Sequence, residues 1–554
     1  MTPDPRPADL VLRGGRIETM DAAGRRASGA AVRDGRIVAV GRDESVTPWI
    51  GPRTRVIELR GRTVTPGFGD AHVHPVSAGL SRARCDLDGI RGLDRYLEVI
   101  SAYASTHPDE QWIRGDGWSM ADFPGGRPHR AELDRVVADR PVYLESADGH
   151  TAWANSRALE AAGITADSVD PVDGRIERDP DGSPSGVLQE GAATLVARLL
   201  PPTTSDDLVA ALRRAQADLH RLGITHWQDA IVTPDEGEPA YTTLAARGEL
   251  TARVVGALWW DRERGEDQID ELVERRDRTS SDRYRPTSVK LMQDGVLENG
   301  TAAILEPYLD VDGRSTANRG LSMIDPDALK EHVTRLDRLG FQPHVHAIGE
   351  RAVREALDAV EVARRINCPT DTRPHIAHIQ VIHPDDIPRF GELGVTANAQ
   401  ALWATHHDQM DDLTIPFLGA TRAGWQYPFG SLLRTGARLA MGSDWGVSSP
   451  NPLLAIEVAV TRIDPDLRGA RPPFVPDQRL DLRDALAGYT SGSAWINHLE
   501  DVVGSIEVGK TADLVVLDRD LFDRGAGHIG EARVLATFID GVAVYSSPAF
   551  DMDT

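Results

Sequence analysis

With 554 residues, 41% hydrophobic and 26% charged, the chain reads as a globular protein of roughly two to four domains. Its 85 acidic against 61 basic residues give a formal charge of −24 with no standout Lys/Arg cluster, which argues against a nucleic-acid partner. Two cysteines, Cys85 and Cys368, are too few for a disulfide framework. The opening MTPDPRPADL lacks the apolar stretch of a secretory signal and no run reaches the ~18 apolar residues of a membrane span, so a cytoplasmic location is expected.

In chain order, ADLVLRGGRIETMD, GAAVRDGRIVAVG and TRVIELRGRTVTPG are short β-rich runs broken by Gly and Asp-Gly turns, and SIEVGKTADLVVLDRD and VLATFIDGVAVYSS repeat that texture near the C-terminus. Neither end holds enough strands for a stable sheet. One small β-sandwich built from both termini, residues 1–65 and 500–554, is therefore expected around a continuous domain, 66–499. Within that domain, about 80–195 breaks the rhythm and is rich in Gly, Pro and Asp, as an insertion over the mouth of the fold would be. Beyond it, helical segments such as SDDLVAALRRAQADLHRLG and GERAVREALDAVEVARR alternate with short apolar runs: ITHWQDA, SVKLMQDG, FQPHVHAIG, RPHIAHIQVI, VTANAQA and RLAMGSDWG. Repeated β-then-α predicts an α/β fold with a parallel sheet, best fitted by a closed (β/α)₈ TIM barrel with the insertion after its first strand. A doubly wound sheet is the alternative, but no G-x-G-x-x-G follows an early strand.

The chemistry starts at PGFGDAHVHP. His72 and His74 are two apart, so a strand points both the same way; they are either metal ligands or a hydrogen-bonded pair. Four later strand ends also carry metal-binding side chains: Lys290, His346, His378 and Asp444. Imidazoles with a carboxylate suit Zn²⁺ or a similar first-row divalent metal, as one ion or two. Lys290 is either a carbamate formed with CO₂, able to bridge two ions, or an ion-pair partner of Asp294 or Glu298. Asp444 is either a proton acceptor beside metal-bound water or an Asx-turn.

Together these motifs resemble the amidohydrolase superfamily, in particular its amidohydrolase-3 (YtcJ-like, N-substituted formamide deformylase-like) branch. The resemblance runs nearly end to end, through PGFGDAHVHP, PVYLESADGHTAWANSRAL, SVKLMQDG, HVHAIGERAV, GSDWGV and GSIEVGKTADLVVLD. It implies a metal-dependent hydrolase. Residue by residue, it makes His72 and His74 the first-strand ligands, Lys290 the lysine that many binuclear relatives carboxylate, and His346, His378 and Asp444 the ligands of later strands. His150 matches a pocket histidine placed to touch substrate. The chain departs from the pattern at Glu350, where the family has Asp, and at His375-Ile376-Ala377-His378, where the family has Arg-Ile-Glu-His. The missing glutamate bears on how His378 is oriented, and His344 and His375 are extra histidines.

The expected reaction is hydrolysis of a C–N bond in a small amide, formamide or cyclic amide by metal-activated hydroxide, with Asp444 as proton carrier and His150 at the oxyanion. Ester or lactone hydrolysis, deamination, and a catalytically silent binding role are the alternatives. Trp118, Phe123 and Trp153 are read as an apolar pocket wall or, equally, as insertion core. The expected partner is a small-molecule substrate, with no nucleic acid or membrane; a homodimer is left open.

Overall fold

The computed structural model describes residues 6–550 other than 369 and 524. Eight strands form one parallel sheet in chain order: β1 (Phe68–Val73), β2 (Ile224–Val232), β3 (Arg253–Trp259), β4 (Tyr284–Met292), β5 (Gln342–Ala347), β6 (His375–His378), β7 (Thr396–Ala399) and β8 (Arg438–Met441). Their near-continuous burial is that of a parallel sheet covered on both faces. The outer cover is helical. Ser205–Arg221 presents Leu208, Leu212, Ala215 and Leu219 to the sheet, and a Thr204–Asp207 capping box satisfies its first turn.

The two ends of the sheet meet, which excludes the doubly wound alternative. The Asp444 N–H donates to the His72 carbonyl (2.7 Å), and the Asn398 side chain donates to the Ala71 carbonyl (2.9 Å). Glycine is required at this seam: a Cβ on Gly442 would lie 2.5 Å from the His72 nitrogen. The fold is the (β/α)₈ barrel, and the strand ends that carry the candidate ligands open on one mouth.

Between β1 and β2 the chain builds a six-stranded mixed sheet from Cys85–Asp86 to Pro184–Glu190. At the termini lie a four-stranded sheet of Leu10–Arg13, Gly29–Arg33, Arg36–Gly41 and Arg55–Glu58, and a six-stranded sheet that pairs Thr63–Pro66 with Leu514–Leu517. Apolar residues from both ends of the chain, including Leu12, Ile37, Ile57, Leu514 and Phe538, share one core between these sheets. Arg253 on β3 ties them to the barrel through ion pairs with Asp513 and Asp540. Among the described residues, no helix is long and apolar enough to cross a membrane.

Candidate metal centre

β1 delivers His72 to the barrel interior, and His74 sits just beyond, where Pro75 starts the next helix. From the seam, Asp444 closes on both: its Oδ1 is 3.4 Å from His72 Nε2 and 2.9 Å from His74 Nε2. Potential ligand atoms of these three residues all lie within 4.8 Å of one another. His378 Nδ1 is 3.8 Å from Asp444 Oδ2. The His378 ring lies 4.8 Å from that of His72 and 4.5 Å from that of His346. Lys290 Nζ is 3.3 Å from His72 Nε2. The six predicted residues therefore converge, with His72, His74 and Asp444 as the tightest group.

Their electrostatics suit a cation. Burial, reinforced by Lys290, pushes the His72 imidazole down to about 3, and burial holds His346 and His378 well below the ordinary imidazole range. Neutral imidazoles have a lone pair to give. Burial opposes ionisation of Asp444, but His72 and His74 outweigh it and hold the carboxyl well below its usual range. His378 Nδ1 is buried with no hydrogen-bond partner among the described residues, although Asp444 Oδ2 lies only 3.8 Å away. Acceptors this close repel unless a proton or a cation lies between them. The residues fit a divalent metal.

Lys290 forms no ion pair with Asp294 or Glu298. Asp294 instead accepts the N–H groups of Ala303, Ile348 and Gly349, pinning the loop after β4 to the loop after β5. Burial nonetheless pushes it up to about 8. Glu298 accepts from Thr414 (2.9 Å). Burial lowers Lys290 to about 8.

The site opens into a cavity of about 430 Å³ lined by His74, His150, Asp229, Trp259, Arg262 and Asp444, among others. His150 enters from the insertion with its ring 5.5 Å from that of His346. Burial disfavours its imidazolium, but Glu190, 2.9 Å from its Nδ1, outweighs burial and raises it to about 9. Glu190 is itself held by the Thr301 hydroxyl (2.8 Å). A side lobe of about 200 Å³ shares His346, His378 and Asp444 and is lined by Val296, Ile348, Trp403, Met410 and Tyr427.

One expectation is corrected. Trp118, Phe123 and Trp153 do not line either space. They pack on one another, with ring centroids 5.4–6.2 Å apart, inside the insertion's own core. The insertion forms a sheet that needs an apolar centre of its own, and these rings supply it. The aromatic wall is Trp403, whose ring stacks on His378 at 5.4 Å and 7°. Asp229 was also missed. It sits in the last part of β2, three residues before the strand ends, accepts from the Tyr241 hydroxyl (2.8 Å) and lines the cavity.

The departures now have structural readings. Glu350 starts the helix Glu350–Ile366 and accepts the Leu305 N–H (3.1 Å), away from the metal triad. With Ala at 377, His378 is oriented by Trp403 and by its own backbone, whose φ is 73°. His344 and His375 lie beneath His72.

Residues 55–545 match the amidohydrolase family (Amidohydro_3). The chain belongs to that family. Among its relatives in this amidohydrolase family, the chain is 32% identical to Protein LONG AFTER FAR-RED 3 of Arabidopsis thaliana, over 97% of this chain and 92% of that one. It is 30% identical to the N-substituted formamide deformylase of Arthrobacter pascens, over 97% and 98%. Among solved structures it resembles an uncharacterized metal-dependent hydrolase from Pyrococcus horikoshii, with a TM-score of 0.72 and 26% identity over 94% and 99%. A Pyrococcus furiosus counterpart gives 0.68 and 27% over 92% and 99%. The chain is an amidohydrolase-family metal-dependent hydrolase.

Proposed function

We propose that the chain hydrolyses a C–N bond of a small amide or formamide at the His72–His74–Asp444 centre, with zinc as the metal. The observation that carries this reading is the convergence of buried imidazoles on one ionised carboxylate at the barrel mouth, with His378 Nδ1 left unpaired among the described residues. A divalent ion held there supplies Lewis acidity and lowers the pKa of a water toward ~7. His72, His74, His346, His378 and Asp444 are its proposed protein ligands, and Lys290 joins them as a carbamate, in one or two ion sites. The amine condenses with CO₂, forming an N–C bond and releasing one proton; burial, which shifts Lys290 toward its neutral form, supports this.

The chain's own groups carry the rest. The substrate carbonyl lies between Asp444 and His150. Asp444, kept ionised, accepts the proton of the attacking water and passes it to the departing nitrogen. His150, kept protonated by Glu190, donates to the oxygen that gains negative charge. The lobe beside Trp403 takes the apolar part of the substrate. The N-substituted formamide deformylase relative supports a formamide as the first substrate to try. Zinc-loaded protein should release formate from N-substituted formamides and lose that activity on chelation. No hydrolysis across formamides, other amides and cyclic amides would defeat the proposal.

A further inference from the structure

Two buried histidines below the metal triad are unused by the hydrolytic scheme. His344 on β5 and His375 on β6 are register partners, both fully buried, with ring centroids 4.0 Å apart. His344 Nε2 lies 2.9 Å from His72 Nδ1, and Asn398 Nδ2 lies 3.3 Å from His375 Nδ1. The other nitrogen of His72, Nε2, faces Lys290 Nζ and Asp444 Oδ1.

A neutral imidazole carries one proton, and it binds a metal through the nitrogen that lacks it. Ligation through His72 Nε2 therefore puts the proton on Nδ1, which must donate. The atom within reach is His344 Nε2. Accepting there places the proton of His344 on its own Nδ1, an atom with no hydrogen-bond partner among the described residues. An aliphatic side chain at this position would leave His72 Nδ1 as a buried donor without an acceptor. We infer that His344 is a positioning residue: it selects the Nδ1–H form of His72 and so turns Nε2 toward the metal. This rests on the metal-site reading above. His375 packs against His344 with the rings tilted by 43°, which restricts how the His344 ring can turn.

The test is zinc affinity of chelator-stripped protein, read by competition with a chromophoric chelator and independent of turnover. Wild type should bind zinc and His74→Ala should lose it. His344→Phe keeps the ring shape without an acceptor and should bind zinc about 10–100-fold more weakly. His344→Gln restores an acceptor and should recover most of that loss. If His344→Phe does not fold, His344→Asn, too short to reach His72, takes its place and should bind more weakly than His344→Gln. In ¹⁵N-histidine spectra of the zinc-loaded wild type, His72 should show a protonated Nδ1. Wild-type affinity in His344→Phe, or equal affinities for the Gln and Asn variants, would overturn the inference while leaving the metal site standing. No zinc binding by wild type would overturn both.

Discussion

The seam between β8 and β1 is where fold and site share atoms, and Gly442→Ala tests it. The added methyl would sit 2.5 Å from the His72 nitrogen, 2.8 Å from its Cβ and 3.0 Å from Asp70 Oδ1. The first obstacle is backbone inside a sheet, so no side-chain rotation relieves it. The seam has to open by about an ångström to reach ordinary van der Waals separation. Overpacking of this kind costs about 1–3 kcal/mol. Two buried hydrogen bonds cross the same gap: Ser443 N–H to Asp70 Oδ1 (3.0 Å) and Asp444 N–H to the His72 carbonyl (2.7 Å). At about 1 kcal/mol each, weakening both brings the loss to roughly 3–5 kcal/mol, or about 6–20 °C in the unfolding temperature of a barrel-sized unit. Because His72 and Asp444 lie on opposite sides of the gap, bound metal should fall in the same variant. Differential scanning calorimetry with metal analysis reads both. A variant melting within about 1 °C of wild type with unchanged metal content would refute the closed seam.

Other predictions follow from the same geometry. Arg253→Leu leaves the buried Asp513 without its cation, while Asp540 keeps Arg283; a loss of about 3–5 kcal/mol is expected, with proteolysis starting in the terminal β-strands as the check. Burial, only partly offset by Arg253, raises Asp513 to about 6, above its unfolded value. The folded state therefore binds the extra proton between about pH 4 and 6, and this group's contribution to stability falls as pH rises through that window. Melting temperatures of wild type minus Asp513→Asn should accordingly drop from pH 4 to 6 and stay level above it. Trp403→Ala removes the ring stacked on His378; at about 0.5–1.5 kcal/mol for an aromatic pair, kcat/KM for a formamide with an apolar N-substituent should fall roughly 2–13-fold, measured by formate release.

Much of the site was legible because strand alternation and the barrel's open end place chemistry at predictable positions. His72, His74, Lys290, His346 and Asp444 could all be chosen from strand ends and their turn-forming neighbours. His378 joins the same cluster, but alternation does not explain it. Ala377 is the residue in register with His346, and a left-handed φ of 73° turns His378 inward. Backbone sign of this kind leaves no trace in hydrophobic pattern. Trp118, Phe123 and Trp153 show a second blindness: an aromatic in a Gly- and Pro-rich stretch looks the same whether it lines a pocket or fills a core. Only the insertion's own sheet decides between them. Trp403 sits on a connection and Glu190 at the end of an insertion strand, and the partners that place them, His378 and Thr301, lie elsewhere in the chain. Asp229 is different. It lies near the end of the apolar run ITHWQDA, where the rule that picks out the other residues applies as well.

The central claim is that His72, His74 and Asp444 hold a divalent cation. Elemental analysis of protein purified without chelators, compared with a His72→Ala/His74→Ala double variant of unchanged circular dichroism, tests it directly. At least one zinc-type ion per chain is expected in the wild type and almost none in the variant. Equal metal in both proteins, or none in either after zinc is supplied, would contradict it.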